Sequence, residues 1–238
     1  RLTVTRAAEA RRLVDVIVAQ SEAPPEGLWR NRVLFSADDE FQGGPGEPDV
    51  GFYYEHLDQS EVLTGTYIPA SIDVVKIYLS DYDFVGLYKP AARSDLIRQL
   101  DAGATIFYYV GHGSTAQLAD EQLFLLGDVP NLNNGQRRFL FCAFSCKVGV
   151  YDDPSSRSMS EVFLNSEGGG AVVAVAASRD SYATPNNALS NAFFAALYPD
   201  RHVVRGATPG SALLMAKLAA WESGNYSNAR SYLHFGDP

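Results

Sequence analysis

The sequence has little cysteine, little histidine and no long apolar run. Among 238 residues there are only 2 cysteines and 4 histidines. The cysteines, Cys142 and Cys146, belong to one predicted strand, where they would lie about 13 Å apart, too far for a disulfide. The cysteine content therefore excludes a disulfide-stapled scaffold. It says little about the compartment, because secreted proteins can lack disulfides.

Targeting and membrane segments are also missing from this stretch of chain. No run reaches the roughly 18 apolar residues of a membrane helix. The first residues are charged and lack the apolar core of a signal peptide. Because the chain begins without Met and stops abruptly, we interpret it as part of a longer multidomain protein. The missing signal is then no evidence about location, and residues 1–238 are expected to form one α/β domain.

The balance of charge is acidic. The formal net charge is −9, which argues against a nucleic-acid partner. Excess carboxylates can reflect cation sites or simple solvation of the surface. Surface solvation is the more economical interpretation of scattered acidic residues.

Apolar runs and turn residues predict an alternation of strands and helices. The short apolar strands are typical of a buried parallel sheet, and the alternation favours a doubly wound α/β fold. Capping residues predict three helix starts: Thr5 and Ser94 as N-caps, and a capping box from Ser158 to Glu161. A fourth helix start is predicted at Pro209, because proline is favoured at the first helical position. The predicted strands are 32–36, 74–79, 106–110, 139–144 and 171–176, and the predicted helices are 5–20, 50–63, 94–100, from 158, 186–197 and from 208.

Two of the predicted strands end in reactive side chains. One leads into Gly111-His112-Gly113, and the other leads into Ser145-Cys146. Ligands of open α/β sheets bind beyond the carboxyl ends of the strands. If the two strands are neighbours, His112 and Cys146 lie on the same edge, and a thiol beside an imidazole suits nucleophilic acyl transfer. The Gly113 N–H would then face the substrate carbonyl as an oxyanion donor.

His112 and Cys146 each also have a simpler, purely structural interpretation. A single loop histidine is usually structural or exposed, and a free cysteine is usually a buried core residue. Cys142 fits that description because it lies inside the strand. Cys146 fits it less well, because the chain turns polar directly after it. The expected proximity of Cys146 to His112 favours a catalytic role over a structural one, because a neighbouring imidazolium cation stabilises the reactive thiolate.

Other candidate groups are weaker. A metal site built from His112, Cys146 and Asp38 lacks any recognised ligand spacing. The remaining histidines have no glycine-rich or strand-end setting, and we interpret them as packing or surface residues. The region of Asp83 and Lys89 is interpreted as a solvated face. The histidines in question are His56, His202 and His234.

Several further stretches occur along the chain in a fixed order: Trp29–Phe35 with Ala37–Asp39, Val110–Gly113, Phe144–Cys146 with Tyr151–Pro154, Ser160–Glu161, Leu164–Asn165, Gly168–Ala171 and Phe235–Pro238. In this order they resemble the gingipain-type cysteine peptidases, and within them the PorU-type enzymes, the signal peptidases or sortases of the type IX secretion system. The resemblance spans nearly the whole chain. Its individual motifs are weak signals, and the ordered set is specific.

The resemblance implies a caspase-like fold, a mostly parallel sheet with helices on both faces. It implies that His112 is the general acid/base, that Cys146 is the nucleophile, and that the N–H groups of Gly113 and Cys146 form the oxyanion hole. An acid after the first strand would orient the histidine. Asp38 matches that position, Asp39 could serve equally, and spacing does not choose between them.

The resemblance also bears on specificity and cofactors. In family members that cut after arginine, a second acid lines the substrate pocket, and Asp49 is the nearest match. Lys147 departs from the residues usual after the nucleophile in PorU-type sequences, which leaves substrate choice open. No cofactor is required for the chemistry. A structural calcium ion is implied as an option, without assigned ligands.

Three functions from two classes, enzyme and scaffold, follow. A PorU-type peptidase or transpeptidase would cleave the C-terminal secretion domain of exported cargo at the outer membrane, on the extracellular face. It could transfer the cargo to an amine of a surface lipopolysaccharide, beside other outer-membrane secretion proteins. A gingipain-like endopeptidase would instead cut unrelated chains after basic residues. A catalytically silent surface scaffold is the third option, and the intact His112 and Cys146 argue against it.

Overall fold

A computed structural model describes residues 1–39, 41, 44–46, 55–202 and 206–237. Its centre is a six-stranded sheet in the order β2-β1-β3-β6-β7-β8, with a separate two-stranded hairpin, β4-β5. All pairings in the large sheet are parallel except that of β7 with β8. The strands are β1 (Arg32–Ala37), β2 (Asp73–Tyr78), β3 (Ile106–Val110), β4 (Gln117–Leu118), β5 (Phe124–Leu125), β6 (Phe139–Phe144), β7 (Ala171–Ala177) and β8 (Tyr232–Gly236).

Helices cover both faces of the sheet, which confirms the predicted fold class. One apolar core lies between the sheet and helices α1, α3 and α4, and the other lies between the sheet and helices α2, α5 and α6. No helix in the described ranges is both long and apolar enough to cross a membrane. The helices are α1 (Ala7–Glu22), α2 (Glu55–Thr66), α3 (Pro90–Ala102), α4 (Met159–Asn165), α5 (Ala183–Leu197), α6 (Pro209–Glu222) and α7 (Tyr226–Ser231).

Aromatic side chains fix the helices to the sheet. Phe163 of α4 packs against Phe139 and Phe141 of β6 with ring centroids 5.4 and 4.8 Å away. Its ring is fully buried. Removing such a ring costs about 3–5 kcal/mol of stability, so this contact holds α4 firmly behind the strand that leads to Cys146.

Two of the predicted helix starts are wrong and two are right. The first helix begins at Ala7 without a side-chain cap, because Thr5 instead binds the Glu9 carboxylate. The third begins at Pro90, whose missing N–H suits the first turn, so Ser94 lies inside it. The Ser158–Glu161 capping box is present, and the Pro209 helix carries Thr208 as its cap.

The strand β8 was not predicted. Its five residues are too few and too mixed in polarity to signal a strand, and their place is set by pairing with β7, where Ala177 faces Tyr232. Because β8 runs antiparallel, its first residue lies at the carboxyl end of β7. This brings the segment around Tyr232 to the edge of the sheet that carries the candidate site.

The strand register brings three chain segments together at that edge. Val110 of β3 pairs with Ala37 of β1 on one side and with Phe144 of β6 on the other. The residues that follow these strands include Asp38, His112 and Cys146. The prediction that the histidine and cysteine strands are neighbours is therefore confirmed.

Candidate active site

His112 is held by the carboxylate of Asp38. Asp38 Oδ2 lies 3.1 Å from His112 Nδ1 and accepts the His112 backbone N–H at 2.8 Å. The Asp38 side chain is fully buried, while that of His112 is 38% exposed. The aspartate thus fixes both the ring and the backbone of the histidine, and the ring remains partly exposed.

The same contact sets the charge of the imidazole. The hydrogen bond to Asp38 raises the pKa of His112 to about 8, against the opposing effect of burial. At neutral pH the ring is therefore mostly a cation. A cation at this position favours a thiolate nearby and can later donate its proton to a leaving group.

The neighbouring carboxylate, Asp39, has a different partner. Its Oδ2 lies 2.5 Å from Lys89 Nζ, and both side chains are almost wholly buried. Burial raises the pKa of Asp39, and the hydrogen bond from Lys89 opposes that rise. The interpretation of Lys89 as a solvated residue is wrong, because the ammonium is enclosed and also donates to the carbonyl of Leu79.

The glycines around His112 allow close packing within the protein. A Cβ on Gly111, whose φ is +149°, would lie 2.2 Å from the Cβ of Asp38, and a Cβ on Gly113 would lie 2.3 Å from Ser145 Oγ. No real side chain tolerates such distances. The two glycines therefore let the histidine loop close onto Asp38 on one side and onto the cysteine loop on the other.

Cys146 and Cys142 occupy different environments. Cys142 is fully buried in β6, and burial raises the pKa of its thiol well above its usual range. Cys146 is partly exposed beyond the strand end. Its Sγ donates to the carbonyl of Ser181 at 3.1 Å and accepts the Ser181 N–H at 3.3 Å. No hydrogen bond joins it to His112 in this structure.

The two backbone groups expected to form an oxyanion hole have no partner within the described part of the chain. Neither the N–H of Gly113 nor that of Cys146 donates to any described acceptor. Lys147, directly after the cysteine, has a φ of +59°, and its ammonium pairs with Asp180 at 2.8 Å. The charge of Lys147 is therefore shared with Asp180 at the surface.

His56 is a site residue that sequence reasoning did not identify as one. Its ring meets the His112 ring edge to face, with centroids 5.9 Å apart. Burial lowers the pKa of His56, as does the charge of His112. The neutral ring packs behind the charged one. Of the other two histidines, His202 is exposed and His234 is partly buried, as expected.

A cluster of three carboxylates marks where a cation could bind. Asp38, Asp39 and Glu121 place oxygen atoms within 4.8 Å of one another, and all three residues are buried. This set differs from the predicted His112, Cys146 and Asp38 set. Because Lys89 and His112 already supply positive charge here, the carboxylates do not require a metal ion. The structure thus leaves the calcium expectation without a defined ligand set.

The candidate pocket acid, Asp49, lies outside the described residues. Ser181 and the buried residues behind it were not anticipated either. They are scattered between positions 181 and 232, and the pairing of β7 with β6 and of β8 with β7 brings them to Cys146. No local sequence signal could have found them.

The fold is caspase-like, with a mostly parallel sheet and helices on both faces. At one edge of the sheet lie a cysteine and a histidine paired with a carboxylate, which together define a candidate peptidase. The family comparison agrees, since the model of peptidase family C25 matches residues 1–238. The chain belongs to peptidase family C25, the gingipain family. No curated protein sequence matches the chain.

Solved structures with the same fold include three proteases. The Arg specific cysteine proteinase gingipain R (RgpB) superposes with a TM-score of 0.76 at 19% identity, over 99% of this chain and 53% of that one. The complex of Porphyromonas gingivalis RgpB pro- and mature domains superposes with a TM-score of 0.74 at 17% identity, over 99% of this chain and 54% of that one. A third structure, of a protease, superposes with a TM-score of 0.69 at 17% identity, over 98% of this chain and 53% of that one. The chain spans about half the length of these structures.

Proposed function

We propose that this domain is a cysteine peptidase in which Cys146 is the nucleophile and His112 is the general acid/base. Asp38 orients the imidazole and stabilises its charge. The observation that carries the proposal is the Asp38–His112 pair, which lies at the same sheet edge as a partly exposed cysteine. Membership in family C25 supports the same reaction class.

In the first half of the reaction, the Cys146 thiolate attacks the carbonyl carbon of the scissile peptide bond. The oxygen of the tetrahedral intermediate becomes an anion, which the N–H groups of Gly113 and Cys146 stabilise. When the intermediate collapses, the C–N bond breaks and His112 donates its proton to the departing amine. The product is a thioester between Cys146 and the acyl part of the substrate.

In the second half, neutral His112 removes a proton from the incoming nucleophile. Water yields a carboxylic acid, and an amine yields a new amide, which is transpeptidation. Both routes regenerate the thiol and use the same residues. The fate of the acyl group therefore depends on which nucleophile reaches the thioester.

The finer assignment is to the PorU type. In that role the substrate is the C-terminal secretion domain of exported cargo at the extracellular face of the bacterial outer membrane. The acceptor amine would come from lipopolysaccharide, and other outer-membrane secretion proteins would be neighbours. The ordered sequence motifs support this assignment.

The second candidate is a gingipain-like endopeptidase that prefers basic residues. Its support is the fold shared with an Arg specific proteinase. In that role Asp49 would bind the basic side chain before the scissile bond.

The deciding experiment uses two peptide sets. One set spans the junction between cargo and its C-terminal secretion domain, and the other places Arg, Lys or Leu before the scissile bond of an unrelated sequence. Both are incubated with the domain in the presence and absence of a primary amine, and the products are weighed by mass spectrometry. The Cys146→Ala variant is the control.

The outcomes are distinct. Cleavage restricted to the junction, with an amine adduct, supports the PorU-type function. Cleavage of unrelated peptides after Arg and Lys, lost in Asp49→Asn, supports the gingipain-like function. If neither set is cleaved and Cys146→Ala still binds cargo as the unchanged domain does, the domain is a scaffold and the peptidase proposal is wrong.

A further inference from the structure

A buried polar network stands behind Cys146, centred on the side-chain amide of Asn186. Its Oδ1 accepts the Tyr232 hydroxyl at 2.7 Å and Asn228 Nδ2 at 2.8 Å. Its Nδ2 donates to Ser181 Oγ at 3.0 Å. Asn186 is 4% exposed, and Asn228 and Tyr232 are fully buried. These four residues form a cluster that we call the Asn186 network.

The hydrogen bonds of this network have one direction. Two donors on Oδ1 fix which end of the Asn186 amide is the oxygen. The nitrogen end must then donate to Ser181 Oγ, so the serine hydroxyl accepts from the asparagine and keeps its own proton to donate. Two acceptors lie within its reach, the Tyr232 oxygen and the Cys146 sulfur. Burial raises the pKa of Tyr232 well above its usual range, and a hydrogen bond from Ser181 opposes that rise, so the phenol keeps its proton near neutral pH.

The chain of donors ends at the sulfur of Cys146. Ser181 Oγ lies 3.9 Å from Sγ, the Ser181 N–H lies 3.3 Å from it, and the Ser181 carbonyl accepts the S–H at 3.1 Å. The carbonyl suits the neutral thiol. The N–H and hydroxyl suit the thiolate, because an anion accepts hydrogen bonds from both and such bonds are stronger than neutral ones.

We propose that Ser181 stabilises the Cys146 thiolate, and that Asn186 is a positioning residue that aims the Ser181 hydroxyl at the sulfur. The inference rests on the proposed role of Cys146 as the nucleophile. It adds a second source of thiolate stabilisation, made of neutral dipoles, to the cation of His112.

The cost of burial argues that the network serves more than packing. Buried amides and hydroxyls are unfavourable unless their hydrogen bonds are satisfied, and apolar side chains of similar size would avoid that penalty. The network also leads to the sulfur of Cys146 through Ser181. Its members come from the loop after β7 and from α5, α7 and β8, so the sulfur is aligned by the packed core of the domain.

The test measures the rate of Cys146 alkylation by iodoacetamide between pH 5 and 9, read by peptide mass spectrometry. The variants are Ser181→Ala and Asn186→Ala, with Asn187→Ala as a control from the same helix. Because Asn186→Ala leaves buried donors without an acceptor and risks misfolding, Tyr232→Phe serves as a milder second variant. Thermal unfolding of each variant checks the fold.

We expect the half-maximal pH of alkylation to rise in Ser181→Ala, Asn186→Ala and Tyr232→Phe, so that the rate at pH 6 falls about three- to tenfold. Asn187→Ala should keep the original profile. Peptide turnover should show the loss in kcat rather than in KM. A merely structural role would lower the unfolding temperature and leave the pH profile in place.

The outcomes separate this inference from the proposed function. If the unchanged domain cleaves peptides but the folded variants keep the original alkylation profile, the peptidase stands and the role of the Asn186 network is overturned. If the profile shifts as expected while the unchanged domain cleaves nothing, the network's effect on the sulfur stands and the peptidase proposal fails.

Discussion

The two halves of the candidate site are stabilised in different ways. His112 is held by a buried carboxylate, and its pKa is raised to about 8 by the hydrogen bond to Asp38. Cys146 is held by the uncharged groups of Ser181, which the Asn186 network supports. The charge of Asp38 keeps the proton on the imidazole, whereas the Cys146 sulfur is contacted by neutral groups of Ser181.

This difference has a physical reason. Charge pairs in a poorly solvated site are strong but costly, because each ion loses water. The histidine side already contains two aspartates, balanced by His112 and Lys89. A further charge beside Cys146 would need its own partner. Dipoles fixed by the fold avoid that requirement and need little reorganisation during the reaction.

The largest expected effect comes from removing the sulfur. Cys146→Ala should lower peptide hydrolysis by about 10³-fold or more, since no thioester can form. Cys142→Ala is the matched control, because its buried thiol stays protonated. It should lower stability slightly and keep the activity. Initial rates on a cleaved peptide measure both variants. Full activity in Cys146→Ala would show that the nucleophile lies elsewhere.

The next largest effect is expected on the free energy of unfolding, when the buried Asp39–Lys89 pair near His112 is broken. Lys89→Met leaves Asp39 as a buried carboxylate without its cation and should lower the free energy of unfolding by about 3–5 kcal/mol. Lys76→Met is the control. It breaks a half-exposed pair with Glu61 and should cost at most about 1 kcal/mol. Urea denaturation measures both.

Adding Asp39→Asn to Lys89→Met should recover much of the loss, because the unpaired charge is then absent. Equal effects of Lys89→Met and Lys76→Met would contradict the description of the Asp39–Lys89 pair as buried and coupled.

Asp38→Asn tests the charge on the imidazole. The hydrogen bond that raises the pKa of His112 from 6.5 to about 8 is weakened, while burial still lowers it. We expect the pKa to fall to its ordinary value or below, measured by NMR titration of the ring protons. Turnover should fall about 10²-fold.

The sign of the pH effect follows from the same group. In the unchanged domain the His112 imidazolium, the proposed general acid, is lost as pH rises through about 8, so kcat/KM should decline above that pH. In Asp38→Asn the decline should begin at lower pH. A decline that stays in place would assign the alkaline limb to a group other than His112.

The smallest effect is expected at His56. His56→Phe keeps a ring against His112 and should change turnover less than about threefold, since the histidine is neutral there. The pKa of His112 should move by less than about half a unit. His56→Lys places a cation in the same position and should lower the pKa of His112 clearly. NMR titration of His112 separates the two variants, and equal shifts would contradict a neutral packing role.

Local patterns predicted much of the fold. Strands β1, β3, β6 and β7 were predicted to within one residue at each end, because buried parallel strands are unbroken apolar runs bounded by turn residues. β8 was missed because its place depends on pairing with a distant strand. The helix at Pro90 was placed too late, because a serine inside a helix can resemble a cap in sequence.

The site was less predictable than the fold. His112 and Cys146 stood out because each follows an apolar strand, and the sheet register brings both segments to one edge. Sequence spacing could not choose between Asp38 and Asp39, because the regular alternation of side-chain directions no longer applies after a strand ends. Lys89 and His56 reach the site only through tertiary packing.

The most direct test of the central account is the rate of Cys146 alkylation at pH 6, compared between the unchanged domain and His112→Ala, with buried Cys142 as the internal reference. An ordinary thiol reacts mainly near and above pH 8.5. The account predicts rapid modification of Cys146 at pH 6, a marked loss in His112→Ala, and no modification of Cys142 until the protein unfolds. Slow modification of Cys146 at pH 6, or equal rates with and without the histidine, would contradict it.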